Sequence, residues 1–393
     1  MLLFDSYMFS TSFPPLRSTL LRSSVVLGLA LLIPTALATA DPGSDSVTSK
    51  YFGKTPQGEP VYLHTLTNKN GMSVSIMDYG ATVVKLIVPD RNGKLGDIAL
   101  GFDKLTPYFP LTTYFGATIG RYGNRIAKGQ FELDGHSYQL PLNDHGNSLH
   151  GGDKGFDKRV WKEEAVESDS PAVRFSRLSP DGEEGYPGNL YTSVTFTVTE
   201  DNRLRISYQA TTDKPTVINL TNHTYFNLAG AGNGTVLDDV VAIRANAYTP
   251  VDSGLIPTGE IKDVKGTPFD FTSPTPIGLH LKEVGGKPVG YDHNFVLEKG
   301  LFSDWSLAAR VEEPTTGRTM EVYTDQPGLQ FYTGNFLDGT LTGKGGKSYP
   351  QYAAFCMETQ HFPDSPNHDN FPSTVLKPGD TYKTTTVYAF GTK

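Results

Sequence analysis

Hydrophobic and polar residues alternate with a period of two along much of the chain, as expected of strands that bury one face. The clearest case is Leu190–Thr199, in which β-branched and aromatic residues recur at alternate positions. After it, Asp201 and Asn202 turn the chain, and Leu204–Tyr208 returns it. This pattern predicts a β-hairpin with one face in water.

Shorter runs of the same kind, each bounded by Gly, Pro, Asn or Asp, predict further strands at Ser73–Met77, Thr82–Val88, Gly129–Leu133, Val240–Ile243, Glu321–Tyr323 and Thr385–Phe390. The longest helical candidate, Asp304–Arg310, is too short to be stable by itself. So many strands must pack in two layers or curl to hide their edges. The predicted fold is therefore all-β, a large antiparallel β-sandwich.

Composition supports this prediction. The 393 residues include 41 Gly, 27 Pro, 20 Tyr and 22 Phe but only 19% charged residues, which favours short strands and turns over long surface helices. From about residue 47 onward there is no linker or repeat, so we expect one continuous domain over 41–393. The net charge of −8, without a basic cluster, argues against nucleic acid or an anionic membrane surface as a partner.

The N-terminus has the order of a signal peptide. Arg17 and Arg22 precede the apolar run Val25–Ile33, and small residues end at Ala40. Because the run is shorter than the roughly 20 residues that span a bilayer, we expect cleavage after Ala40, leaving no membrane anchor. The single cysteine, Cys356, allows no intramolecular disulfide. These features predict a periplasmic protein, with secretion as the alternative.

A carboxylate interrupts an apolar stretch near the C-terminus, Ala353–Gln360. If the stretch is a strand, Cys356 and Glu358 share one face, and Phe355 and Met357 share the other. A carboxylate in such a place is costly unless it is paired or hydrogen-bonded, so it calls for a functional reason. Glu358 is therefore a candidate for the chemistry of the protein.

Two further segments contain histidines in unusual surroundings. If Asn219–Asn227 is extended, His223 and Tyr225 point to the same side and form a polar and aromatic face suited to a sugar. In Asn147–Gly152, two glycines allow a tight bend from which His150 projects. Taken by itself, a loop histidine is more often satisfied by backbone groups than functional.

The remaining candidates are polar residues in loops and at strand ends. Gly120–Ile126 contains two glycines, so we expect an irregular loop that presents Asn124 and Arg125, or else a surface pair of arginines. Two other segments offer Asp292 and Gln330. The spacing of the C-terminal histidines fits no metal site, and none is predicted.

Together these segments resemble the aldose 1-epimerase family, also called galactose mutarotases. The resemblance runs from about residue 53 to the C-terminus and is carried by Gly120–Phe131, Asn147–Asp157, Asn219–Gly230, Pro250–Gly259 and Glu358–Gln360 followed by Pro363 and Asp364. One departure is Tyr122-Gly123, where the family more often has Val-Ala. The resemblance implies an antiparallel β-supersandwich, a free aldose as substrate and no cofactor.

It also implies roles for individual residues: Glu358 as general base and His223 as general acid. The implied sugar-binding positions, to which Tyr225 is added as a neighbour of His223, are Asn124, Arg125, His150, Tyr225, Asp292 and Gln330. Such an enzyme would interconvert the anomers of hexoses such as glucose and galactose by opening the ring, rotating about C1–C2 and reclosing it. A histidine with a pKa of about 6.5 acts as acid here only if a negative neighbour keeps it protonated. We expect a monomer or weak dimer.

Three other functions are compatible with parts of this pattern. A hexose-6-phosphate epimerase would need additional cationic residues for the phosphate. A glycosidase could use Asp292 and Glu358 as its carboxylate pair, about 5–10 Å apart across a cleft. A non-catalytic sugar-binding module would tolerate an unperturbed Glu358 far from His223.

Overall fold

Antiparallel strands account for most of the regular structure. The computed structural model describes residues 45–110, 113–298 and 305–393. The predicted signal peptide, residues 1–40, and the domain boundary that follows it lie outside the described residues. The one α-helix that the described residues contain is a single turn, α1 (Leu281–Val284).

In chain order the strands are β1 (Ser46–Lys54), β2 (Pro60–Thr67), β3 (Ser73–Met77), β4 (Thr82–Pro89), β5 (Leu95–Asp97), β6 (Thr118–Ile119), β7 (Arg125–Ile126), β8 (Gln130–Leu133), β9 (His136–Gln139), β10 (Ser148–Leu149), β11 (Lys162–Glu164), β12 (Ala172–Ser179), β13 (Leu190–Val198), β14 (Arg203–Thr212), β15 (Thr216–Val217), β16 (Thr221–Asn222), β17 (Val240–Ile243), β18 (Ala245–Thr249), β19 (Lys262–Asp263), β20 (Thr275–Pro276), β21 (Asp292–Leu297), β22 (Ser306–Glu312), β23 (Arg318–Thr324), β24 (Gly328–Tyr332), β25 (Cys356–Gln360), β26 (Val375–Leu376) and β27 (Tyr382–Thr392).

Three large sheets organise these strands. The first has five strands in the order β1-β2-β3-β4-β5, and the second has nine in the order β11-β12-β13-β14-β27-β23-β22-β17-β20. The third has five strands, β19-β18-β21-β24-β25. Every paired strand in them is antiparallel. The predicted all-β, antiparallel sandwich is confirmed.

One hydrophobic core draws residues from all three large sheets. Ile76 of the first sheet, Val194 of the nine-stranded sheet and Phe331 of the third are all fully buried in it. Strand β2 contacts β12 and β13, and β4 contacts β27, so the first sheet packs on the nine-stranded one. Alternate residues of β14, namely Leu204, Ile206, Tyr208 and Ala210, enter this core, which is the physical basis of the period of two in the sequence.

The predicted strands agree closely with the observed ones. The hairpin is β13 and β14, closed at the Val198–Leu204 pair. The helical candidate Asp304–Arg310 is wrong: Asp304 is outside the described residues, and the chain that follows forms β22. Strand β22 pairs with β17 on one side and β23 on the other, and these ladders outweigh any local helical preference.

Candidate active site

Neighbouring strands of the third sheet present polar side chains on one face. The register places Asp292 opposite Tyr332, and Gln330 opposite Glu358. Residues between them, such as Phe331, point to the other face and enter the core. The alternation that stabilises the sheet therefore also lines up the polar residues on its outer face.

A cavity of about 490 Å³ opens beside this face, within the range of about 300–1,000 Å³ that is usual for small-molecule sites. Among the residues that line it are Tyr114, Asn124, Arg125, Asp144, His150, Lys158, His223, Tyr225, Asp292, Tyr332, Phe336 and Glu358. All of the site residues predicted from the sequence are in this set except Gln330. Four of the five family segments contribute residues to this cavity, and Pro250–Gly259 does not.

Glu358 and His223 face each other in this cavity. Glu358 Oε1 lies 3.7 Å from His223 Nε2, and both side chains are almost fully buried. The second oxygen, Oε2, is buried without a hydrogen-bond partner among the described residues. A buried carboxylate oxygen without a hydrogen-bond partner is energetically unfavourable. Glu358 Oε2 is therefore available to accept a hydrogen bond from a ligand hydroxyl.

Burial shifts the pKa values of this pair in opposite directions. It raises the pKa of Glu358 well above its ordinary value, with help from the nearby charge of Asp292 and against the opposing charge of Arg125. It lowers the pKa of His223 to about 4. Desolvation disfavours the charged form of each group. Protonated Glu358 beside neutral His223 is therefore favoured over the carboxylate beside an imidazolium, which the sequence suggested. The neutral pair and the ion pair contain the same number of protons and differ only in whether the shared proton is on Glu358 or on His223.

The ring of His223 lies among aromatic side chains. It stacks on Tyr225 at a centroid distance of 5.0 Å and an interplanar angle of 16°, and on Tyr114 at 5.9 Å and 22°. His150 and Tyr332 pack against it edge to face. These contacts fix the plane of the imidazole. Tyr225 lies on the same side of its segment as His223, as the sequence predicts, and both side chains line the cavity.

His150 is held in a single tautomer by the backbone. Its Nδ1 accepts a hydrogen bond from the Asn124 backbone N–H at 3.0 Å, so in the neutral ring the proton is on Nε2. Burial lowers the pKa of His150 well below its ordinary value, and the charges of Arg125 and Lys158 add to this. His150 is thus both satisfied by the backbone and a neutral hydrogen-bond donor into the cavity.

Arg125 and Asp292 form the polar wall of the cavity. Arg125 Nε donates to Asp144 at 2.7 Å, and its NH1 lies 3.8 Å from Asp292. Gln330 donates from Nε2 to Asp292 Oδ1 at 2.7 Å. Burial raises the pKa of Asp292, while Arg125 and then Gln330 oppose the rise. Gln330 therefore reaches the cavity through Asp292.

The two arginines of Gly120–Ile126 have different environments, and neither is on the surface. Arg121 is 2% exposed and donates to Ser179 and to the Pro187 carbonyl, which ties loops together away from the cavity. Arg125 is 7% exposed and enters the cavity. The alternative of a surface pair is wrong because the strand pairs β6–β16 and β7–β10 carry this segment inside the protein.

Some cavity residues were missed by the sequence argument. Tyr114 packs edge-on to His150 at 4.6 Å, and Lys158 Nζ lies 5.0 Å from the centre of the Tyr114 ring. Asp144 precedes the glycine-rich segment that contains His150, and this proximity is a signal that could have identified it. Tyr114 carried no such signal, because only the tertiary structure brings it over His223.

Among the described residues, one group of side chains has its potential metal-ligand atoms close enough together to bind one ion. His150, His223 and Glu358 each offer a ligand atom, and these atoms lie within 4.8 Å of one another. A metal-binding imidazole normally has its other nitrogen donate a proton to an acceptor. In His150 that other nitrogen receives the Asn124 N–H, so the nitrogen facing the cavity carries the proton. The hydrogen bond that His150 accepts from Asn124 therefore does not fit a metal ligand.

Comparison with known proteins agrees with this geometry. The family model described as "Aldose 1-epimerase" matches residues 62–389, most of the chain. The chain belongs to the aldose 1-epimerase family. Galactose mutarotase from rat is 48% identical over 345 residues, which cover 88% of this chain and 98% of the rat protein. Aldose 1-epimerase from Escherichia coli K12 is 41% identical over 340 residues, covering 85% and 96%. As a member of this family, the chain is an isomerase with mutarotase activity.

Solved structures share the aldose 1-epimerase fold. A homologue of the family from C. elegans has a TM-score of 0.76 at 32% identity, over 89% of this chain and 99% of that one. Galactose 1-epimerase from Lactobacillus acidophilus has a TM-score of 0.77 at 29% identity over the same shares. These matches support the supersandwich fold implied by the sequence resemblance.

The predicted periplasmic location, with secretion as its alternative, is wrong. The relatives of 47–49% identity are mammalian galactose mutarotases, including those of rat, cattle and human, and mammalian cells have no periplasm. The predicted export depended on the signal-peptide pattern of residues 1–40, which lie outside the described residues. The described part of the chain has no helix whose length and apolar character would let it cross a membrane.

Proposed function

We propose that this aldose 1-epimerase acts on free hexoses such as glucose and galactose, with Glu358 as general base and His223 as general acid. The observation that carries the proposal is the 3.7 Å approach of Glu358 Oε1 to His223 Nε2 inside the cavity. One proton shared by two groups with opposite pKa shifts suits a reaction that removes one proton and delivers another.

In the ring-opening step, the Glu358 carboxylate takes the proton of the anomeric hydroxyl while His223 gives its Nε2 proton to the ring oxygen. The bond between C1 and the ring oxygen breaks, and the aldehyde forms. Rotation about C1–C2 presents the other face of the carbonyl. The ring hydroxyl then returns its proton to His223 as it attacks C1, and Glu358 returns its proton to the carbonyl oxygen.

The active form of the pair is the carboxylate beside the imidazolium. Burial opposes this form, whereas the charge of Arg125 lowers the pKa of Glu358 and favours it. A sugar hydroxyl that donates to the unpartnered Glu358 Oε2 would favour it further. Binding of the substrate therefore helps to place the shared proton on His223.

The other predicted site residues suit the binding of sugar hydroxyls. We propose that Arg125 and Asp292 hold the hydroxyls that do not react, and that Asn124, His150 and Tyr225 complete the wall around them. The fixed Nε2–H of His150 is a donor that needs no rearrangement when charge develops on a nearby oxygen. Gln330 contributes by orienting Asp292.

Two of the three alternatives from the sequence, the sugar-phosphate epimerase and the binding module, are less consistent with the cavity. Its cations are already paired, Arg125 with Asp144 and Lys158 with Asp157, so a sugar phosphate would find no free positive charge among these lining residues. A binding module would not need a strongly perturbed carboxylate against His223. The acid–base pair supplies both proton transfers, so we propose that no cofactor takes part.

Polarimetry tests the proposal. Freshly dissolved α-glucose and α-galactose should relax faster with the protein than without it, in a buffer containing EDTA. Glu358→Gln and His223→Asn should each lower kcat by about 10²- to 10⁴-fold, the usual contribution of an acid–base group. Glu132→Gln and His136→Asn, exposed positions of the β8–β9 hairpin, should leave kcat unchanged.

Full activity of the Glu358→Gln variant would overturn the assignment of the base. Loss of activity in EDTA that returns with a divalent cation would overturn the cofactor-independent mechanism. The quaternary state, predicted as a monomer or weak dimer, is checked by sedimentation velocity on the same preparation.

A further inference from the structure

The side of the His223 ring that faces away from Glu358 contacts a cysteine. His223 Nδ1 lies 3.5 Å from Cys356 Sγ, and Cys356 is fully buried. Cys356 and Glu358 are two positions apart in β25, so their side chains point to the same face. One strand thus contacts both nitrogens of the imidazole. Cys356 does not line the cavity and cannot touch a bound sugar there.

The contact depends on a ring that cannot easily turn. The rings of Tyr225 and Tyr114 both stack on the His223 ring, with distances between ring centroids of 5.0 Å and 5.9 Å. The backbone of His223 is fixed as well, since its N–H donates to Ala117 and its carbonyl accepts from Gly116. With the ring plane fixed, the partners of the two nitrogens decide where the protons are held.

The proposed chemistry sets a requirement for Nδ1. When the imidazolium gives its proton from Nε2, the product is the neutral tautomer with a proton on Nδ1. If Nδ1 carried no proton, loss of the Nε2 proton would leave an imidazolate, which is far too basic to form here. Nδ1–H must therefore be kept throughout the cycle, and a buried N–H needs an acceptor.

A thiol sulfur is an acceptor with a particular property: it is weak and uncharged. Burial raises the pKa of Cys356 well above its ordinary value, and nearby Glu358 adds to this, so the group stays a neutral thiol. A carboxylate at this place would stabilise the imidazolium and make it a poorer acid. A thiol holds the Nδ1 proton without that penalty.

We propose that Cys356 is a positioning residue for catalysis: its Sγ accepts the Nδ1–H of His223 and so keeps on Nε2 the proton that moves. The inference rests on the proposed function, because it concerns the same general acid. It assigns a role to the one cysteine of the chain, which the sequence argument placed on the same strand face as Glu358 without giving it a part in the chemistry.

Three variants test the inference by kinetics. Cys356→Ala removes the acceptor, so the neutral ring populates both tautomers; kcat should fall about three- to tenfold while KM changes by less than about twofold. Cys356→Ser restores an acceptor and should recover most of the lost kcat. Met357→Leu, on the opposite face of β25, serves as the packing control and should keep the original kcat.

The tautomer itself is observable without any variant. Nitrogen NMR of histidine-labelled protein near pH 7 should show the neutral His223 with its proton on Nδ1, the signal being assigned by its absence in His223→Asn. In Cys356→Ala the same ring should show a mixture of both tautomers. This readout would not respond to a purely structural role of the cysteine.

The outcomes separate this inference from the proposed function. If His223→Asn keeps full activity, the proposed general acid is wrong. If His223 is required but its neutral ring carries the proton on Nε2, or Cys356→Ala keeps the original kcat, the role of Cys356 is wrong. Equal losses in Cys356→Ala and Met357→Leu would also overturn it, since packing alone would then explain both.

Discussion

Burial acts on Glu358 and His223 in opposite directions, and this is the central property of the site at the scale of residues. Each group loses water, and the charged form of each becomes less favourable. In water the imidazole, which has the higher pKa, would hold the shared proton; burial reverses this order and favours the proton on Glu358. The proposed reaction starts from the opposite arrangement, so it needs a contact, such as a substrate hydroxyl on Glu358 Oε2, that moves the proton back to His223.

The pH dependence follows from these directions. The pKa of His223 is lowered to about 4, so we expect the ring to stay neutral at pH 6, where an ordinary histidine is already partly protonated. Below about pH 4 both groups are protonated, no base is left, and kcat/KM should fall. NMR titration of His223 and polarimetry between pH 3 and 8, with the spontaneous rate subtracted, check this. A titration of His223 at about 6.5 would contradict it.

At the scale of elements, the loop containing His150 is shaped by close contact of two backbone segments. Gly151 has φ of +88°, and a Cβ there would lie 2.0 Å from the Gly120 carbonyl oxygen. His150 itself has φ of 52°, in the left-handed region. The bend that presents His150 to the cavity therefore requires a residue without a side chain directly after it.

This geometry predicts a difference between two glycines of the same loop region. Gly151→Ala should destabilise the protein by about 2–4 kcal/mol more than Gly146→Ala and should lower kcat, because the clash displaces His150. Gly146 has nearly the same φ, +87°, but open space around it, so its variant reports the backbone strain alone. Urea denaturation followed by fluorescence compares them. Equal stability of the two variants would show that the Gly120 contact is unimportant.

At the scale of the whole molecule, the face that carries the proposed catalytic residues and the face that enters the core are two sides of the same sheet. Phe331, between Gln330 and Tyr332 in β24, is fully buried and packs against Tyr291 at 5.5 Å and Phe271 at 5.6 Å. The core that it joins includes residues of all three large sheets. The positions of the polar side chains thus depend on packing behind them.

Phe331→Ala should lower the free energy of unfolding by about 3–5 kcal/mol, the usual cost of removing a buried phenylalanine. It should also lower kcat, since β24 carries Gln330 and Tyr332. Leu178→Ala, at a leucine that is 57% exposed on the nine-stranded sheet, should change stability by less than about 0.5 kcal/mol. Denaturation curves and polarimetry check both variants. A Phe331→Ala protein of unchanged stability would contradict a shared core.

Local patterns along the chain were enough to predict the strands and the residue types of the site. A period of two is a local property, so β3 and β17 were predicted with their observed bounds, and the carboxylate of Glu358 stood out because it interrupts an apolar strand. The resemblance of separate segments to one family then identified which polar residues belong together. Both kinds of information are written along the chain and need no knowledge of contacts.

Which groups are in contact, and in what protonation state, depends on the folded structure. The sequence did not show that Arg121 is buried away from the cavity, nor could it bring Tyr114 over His223. It also suggested an imidazolium at His223, whereas burial favours the neutral ring. Contacts between distant segments follow from sheet register, and pKa values follow from desolvation, and both exist only once the chain has folded.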